Sequence, residues 1–138
     1  MPDYLIDTNH AGRLMANDPV LVERLRLSES SGDGFAISMT VVGELYYAVY
    51  ASRRQAVNRR NLLRLLDAIH IYPFDRSSAE EFGRIQAEQK AKGRPIPPMD
   101  AQIAAVARQH ALIVLMADKH FGLIEGIRVE NWLVEQGE

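Results

Sequence analysis

Apolar positions along this chain fall into short unbroken runs separated by longer stretches in which apolar residues recur at helical spacing. Tyr4-Leu5-Ile6 is a buried strand that ends at Asp7, and Thr8 to Ala16 continues as a helix whose free amides Asp7 or Thr8 caps. Asp18-Pro19 sets an N-cap before proline at the first helical position, and Val20 to Leu27 carries that helix into the turn residues from Ser28 to Gly34. Phe35 to Ser38 is the second strand. Thr40 caps a helix to about Ser52, and another runs from about Ala56 to Ile69. His70 to Phe74 is a third strand, and Ser78-Ala79-Glu80-Glu81 has the form of a capping box for the helix after it. That helix stops at the turn Gly93 to Pro98, whose prolines no helix interior tolerates. A helix from Asp100 to about His110, the apolar strand Leu112 to Met116, a helical turn after Asp118 and a strand around Ile127 to Val129 complete the series.

Strands that read as continuous apolar runs, alternating with helices, predict an α/β fold with a mainly parallel sheet covered by helices on both faces. No repeat, low-complexity tract or linker divides the sequence, so residues 1–138 are expected to form one domain. With no cysteine the chain has neither a disulfide framework nor thiolate metal ligands, which agrees with a reducing cytoplasm. No signal peptide or membrane-spanning run is visible, since the longest apolar stretch, Ala111 to Ala117, is far too short to cross a bilayer. A net charge of -2 removes bulk basicity as a route to nucleic acid, so any such affinity must be local. The acid-free stretch carrying Arg53, Arg54, Arg59, Arg60 and Arg64 is the candidate, although solvated helix arginines over a leucine face would read the same way.

The chemistry lies with four acids. Asp7 and Asp118 each follow an apolar strand, which places both at the carboxyl edge of a parallel sheet, where ligands bind. Asp100 shares a helix face with the small core residues Ile103, Ala104 and Ala107, and Glu44 stands early in its helix beside Val41 and Ala48. Each acid taken alone is also a reasonable helix cap or dipole partner. Together they converge, and two carboxylates ~4 Å apart repel by roughly 4 kcal/mol at an effective dielectric near 20, so such a cluster calls for protons or cations. All-oxygen ligation suits Mg2+ or Mn2+, and His10, His70, His110 and His120, which show no metal-binding pairing, read as ordinary surface or core residues.

Asp7-Thr8-Asn9, Thr40 with Gly43-Glu44-Leu45, Pro73-Phe74-Asp75, Gly93-Arg94-Pro95-Ile96, Asp100 with Ile103-Ala104-Ala105, Asp118 with Phe121, and Val129-Glu130-Asn131-Trp132 follow one another as in the PIN-domain toxins of the VapC type, which the chain resembles over essentially its whole length. Met116, where the family often has threonine, and Pro97, where glycine is common, depart from that pattern. The resemblance implies a PIN-like three-layer fold and Mg2+- or Mn2+-dependent RNA hydrolysis. It also implies a homodimer, a cognate antitoxin protein, and structured RNA such as tRNA among the substrates. It carries the family's catalytic acids onto Asp7, Glu44, Asp100 and Asp118, with Asp7, Asp100 and Asp118 toward the metal.

Two other classes fit parts of the pattern. An aspartate after the first strand of a parallel sheet can accept a phosphoryl group, but Asn9 stands where phosphatases of that kind place a second acid. A catalytically silent module would fold alike and hold RNA or a partner without cleaving. Tyr46, Tyr47 and Tyr50 could stack bases or line a protein contact, yet their helical spacing is more typical of core or interface, and Trp132 reads as packing.

Overall fold

The computed structural model describes residues 3–133, and the side chains of Lys119 and His120 lie outside that description, as do the ends of the expected domain. In chain order the elements are β1 (Asp3–Ile6), α1 (Thr8–Met15), α2 (Pro19–Ser30), β2 (Gly34–Ser38), α3 (Met39–Ala51), α4 (Gln55–Ala68), β3 (His70–Tyr72), α5 (Arg76–Ala91), α6 (Pro98–His110), β4 (Ile113–Leu115), a 3-10 turn (Lys119–Leu123) and β5 (Arg128–Glu130). The strands form one sheet in the order β3-β2-β1-β4-β5, with every pairing parallel. This is the three-layer α/β arrangement expected from the sequence.

The strand order fixes where a site can form. From β1 the chain steps to β2 and β3 on one side, then returns to lay β4 against the other side of β1. The order therefore reverses between β1 and β4, and that reversal opens a crevice at the carboxyl ends of the two strands. Right-handed crossovers put the helices of the outward steps on one face and α5 and α6 on the other. Contacts of α1 with α3 and α4, and of α5 with α6, agree with that division. Ile6 lies beside Leu115 in the register, and the Asp7 amide extends the pairing by donating to the Leu115 carbonyl at 3.1 Å.

The core explains the apolar runs. Leu5, Ile6, Ile37, Val114 and Leu115 have no exposed surface, and α6 presses Ala101 and the run Ile103 to Ala107 into the interior. Burial of each such branched side chain stabilises the fold by roughly 2 kcal/mol before entropy is subtracted.

Element starts depart from the sequence reading in an informative way. α3 is capped by Ser38, whose hydroxyl accepts from the Val41 amide, and Thr40 lies inside the first turn. α5 begins two residues before Ser78, because Asp75 supplies the cap by accepting from the Ser78 amide at 3.0 Å. Ser78 instead points its hydroxyl across to Gln109 of α6 at 2.7 Å, so the capping-box reading is replaced by a link between helices. β3 ends at Tyr72, short of the expected Phe74. α6 starts at Pro98, which makes Asp100 its third residue and not its cap.

Candidate active site

Asp7 is the last link of β1 and the cap of α1, so both sequence readings hold for it at once. It is 4% exposed, and a carboxylate so buried needs donors. Its Oδ1 receives the His10 amide at 2.8 Å and the His10 ring at Nδ1 at 2.7 Å. The other end of that ring, Nε2, lies 3.1 Å from the backbone amide of Trp132, far along the chain.

Three of the four candidate acids line one pocket of about 190 Å³. Asp7, Glu44 and Asp100 form its acidic wall with Thr8, Asn9, Ile103 and Met116. Thr8, at the first position of α1, donates its hydroxyl to Glu44 Oε1 at 2.7 Å and so ties α1 to α3. Thr40 donates to Gln102 Oε1 at 2.8 Å, which holds the start of α3 against the start of α6 and brings Glu44 toward Asp100. The loop before α6 is held from behind: Gln89 donates its amide to the Arg94 carbonyl at 3.1 Å. Asp118 is exposed just after β4 and does not line the pocket, but its charge reaches Asp100.

That field is visible in the acidity of Asp100. Burial pushes its carboxyl above the usual aspartate range, and the negative charges of Asp118, Glu44 and Asp7 push it further the same way. Acids from three other segments are thus felt at Asp100. Among the described residues no set of three or more histidine, aspartate or glutamate side chains stands close enough to hold one ion as placed. The site is an open acidic rim, and its donors are carboxylate oxygens, the chemistry that hard divalent cations prefer.

Sequence reasoning treated His10 as an ordinary histidine. It is a core residue with no exposed surface, yet it is also the group that holds Asp7. The available signal was its position three residues after a capping aspartate, where a side chain lies back along the cap. Thr8 gave no such signal, since its partner lies 36 residues away. Trp132 packs as expected, 4.9 Å from Tyr4 and 5.6 Å from Phe35 between ring centres, with Arg24 over its ring at 4.3 Å. The tyrosines of α3 are mostly outside the core: Tyr47 and Tyr50 are 75% and 57% exposed. Arg59 on α4 donates to the Tyr50 hydroxyl at 2.8 Å and lies 5.9 Å from the Tyr46 ring centre. The arginines named on this stretch are all exposed.

Known proteins bear on this geometry. The PIN domain pattern matches residues 4–126. The tRNA(fMet)-specific endonuclease VapC of Shigella flexneri is 30% identical over 134 residues, which cover 96% of this chain and 99% of that one. The DNA-bound VapBC structure from Salmonella typhimurium superposes with a TM-score of 0.87 at 30% identity, covering 96% of this chain and all of the other. VapBC2 from Rickettsia felis, bound to a DNA fragment from their promoter, gives a TM-score of 0.87 at 26% identity over 94% of this chain and 98% of that one. A pocket walled by acids at the switch point of a parallel sheet, a match that runs nearly the length of the chain, and a shared backbone course place this protein in the PIN-domain family, among the VapC ribonucleases.

Proposed function

We propose that this chain is the toxin of a toxin–antitoxin pair and hydrolyses RNA phosphodiester bonds with the help of Mg2+ or Mn2+. The observation that carries the reading is Asp100, half-buried in a field of three further carboxylates at the crevice between β1 and β4. Burial and all three neighbouring carboxylates act on Asp100 in the same direction. When bound, a divalent cation would lower the pKa of a water molecule and offset the charge that gathers on the phosphate.

In this reading Asp7 and Asp100 hold the principal cation, Asp118 supports it from the outer rim, and Glu44 completes the cluster. Asp7 would hold the cation through Oδ2, since His10 occupies Oδ1. Thr8 occupies Glu44 Oε1, which leaves the second oxygen of Glu44 for the proposed proton-accepting role. Met116, a pocket wall residue that is 7% exposed, supplies apolar surface and no hydroxyl beside the acids. Water is the nucleophile, so the products carry a 5′-phosphate and a 3′-hydroxyl.

The named activity of the Shigella relative makes tRNA the first substrate to test, and the VapBC structures support an antitoxin as partner; a homodimer is the proposed assembly. No helix among the described residues is long and apolar enough to cross a membrane, and the proposed place of action is the cytoplasm. Purified protein, freed of antitoxin, is incubated with tRNA and Mg2+ or Mn2+ beside Asp7→Asn and Asp100→Asn, and the cleavage ends are mapped. The variants are expected to lose on the order of a hundredfold or more in rate, the scale of removing one group that stabilises a transition state. Equal cleavage by the variants, 2′,3′-cyclic phosphate ends, or phosphorylation of Asp7 by a small phosphodonor would each reject the proposal.

A further inference from the structure

The imidazole of His10 is wholly buried and joins two distant parts of the chain. At Nε2 its neighbour is the backbone amide of Trp132, at 3.1 Å, and a backbone amide can only donate. Nε2 therefore carries a lone pair, and the ring proton of the neutral imidazole sits on Nδ1. That proton points at Asp7 Oδ1, 2.7 Å away. The same oxygen also takes the His10 amide at 2.8 Å, so one residue supplies both bonds, and both fall on a single oxygen. Two donors on Oδ1 restrain the carboxylate and leave Oδ2 untouched by His10, while Asp7 itself lines the pocket. The far anchor is firm: Trp132 is packed on Tyr4 and Phe35, and its indole N–H donates to Glu130 Oε1 at 3.0 Å.

We propose that His10 is a positioning residue for the candidate cation site: held in its Nδ1–H tautomer by the Trp132 amide, it orients Asp7 so that Oδ2 faces the pocket. The inference rests on the reading of Asp7 as a cation-holding carboxylate. Hydrogen bonds to the outer oxygens of metal ligands commonly contribute ten- to a hundredfold in metal affinity.

Two substitutions divide the imidazole into its halves. The amide of asparagine ends one bond past Cγ, near the place of Nδ1, so His10→Asn keeps a donor for Asp7 and gives up Trp132. The amide of glutamine ends near the place of Nε2, so His10→Gln keeps Trp132 and gives up the donor. Mn2+ affinity is measured by calorimetry on the wild type, both variants and Asp7→Asn, with circular dichroism to verify folding. His10→Asn is expected to stay within about threefold of wild type, and His10→Gln to weaken binding about ten- to a hundredfold. Equal losses in the two variants would mark a purely structural role and overturn the proposal, as would no loss in either or the reverse order. A wild type that binds Mn2+ no better than Asp7→Asn would sink the cation reading itself and this inference with it. Nitrogen NMR of the wild-type imidazole at neutral pH tests the same point without substitution. A protonated Nδ1 beside an unprotonated Nε2 is expected, and either the Nε2–H form or a doubly protonated ring would overturn the proposal.

Discussion

Acidic residues crowd two regions of this molecule, and the fold treats them in opposite ways. Between α5 and α6, Arg108 reaches Glu81 through Nε and Glu88 through Nη1 at 2.8 Å, while Arg84 holds Glu80 and Glu81 at 2.8 Å each. Burial raises the Glu81 carboxyl, but the two guanidinium groups outweigh it and hold the group below the usual glutamate range. In the crevice between β1 and β4, burial raises the Asp100 carboxyl, and its charged neighbours add to the shift instead of reversing it. At Glu81 the chain's own guanidinium groups set the sign of the shift, and at Asp100 burial and neighbouring carboxylates do, a contrast that fits a structural ion network in the first place and the proposed cation site in the second.

The contrast can be tested from its largest effect downward. Mg2+ or Mn2+ at a hundred times its dissociation constant should stabilise the wild type by about 2.7 kcal/mol in denaturant unfolding, and Asp100→Asn by much less. A response that is equal in the two proteins would erase the distinction. Arg108→Ala leaves Glu81 and Glu88 without their shared partner and should lower stability by about 2 kcal/mol, a loss that no divalent metal restores. Recovery in Mg2+ would mean that this cluster, too, takes up cations.

Asp100→Asn should act in the opposite direction on the metal-free protein, raising stability and Tm at neutral pH. The sign follows from proton binding. A carboxyl with a raised pKa in the folded state holds its proton where the unfolded chain has released it, so wild-type stability falls as pH rises from the usual aspartate range through the raised one. The advantage of Asp100→Asn is therefore full above the raised value and vanishes in acid, as melts in chelator between about pH 3 and 8 will show. A pH-independent gain would point to a cause other than charge. The smallest effect belongs to the arginine stretch of α4. Arg60→Ala should weaken RNA binding only a few-fold and flatten its salt dependence by about one unit of slope if the stretch follows phosphates.

What the sequence disclosed and what it withheld divide along physical lines. The strands at Tyr4, Phe35 and Ile113 were legible because a parallel strand buried on both faces leaves an unbroken apolar run, and Asp7 stood out because it ends such a run. Glu44 and Asp100 line one pocket although their helices cover opposite faces, because both stand early in helices that start near the carboxyl edge of the sheet. Helix starts were less legible, since Asp75, Ser38 and Pro97 compete with equally good neighbours, and the winner is set by the helix each must dock against. Contacts across long separations left no local trace. Neither Arg108 with Glu81 nor His10 with Trp132 has a spacing that a periodic pattern records. The exposed tyrosines of α3 share this difficulty from the other side, because helical spacing says which residues share a face but not whether that face is covered.

Both borders of the sheet are three-residue strands, β3 and β5, and β5 presents Arg128 and Glu130 along its length. Borders so brief, one of them charged, give a foreign strand little backbone to zip onto, which guards the protein against amyloid-like stacking. By the same token, edge pairing is the less favoured route for another chain to join the sheet.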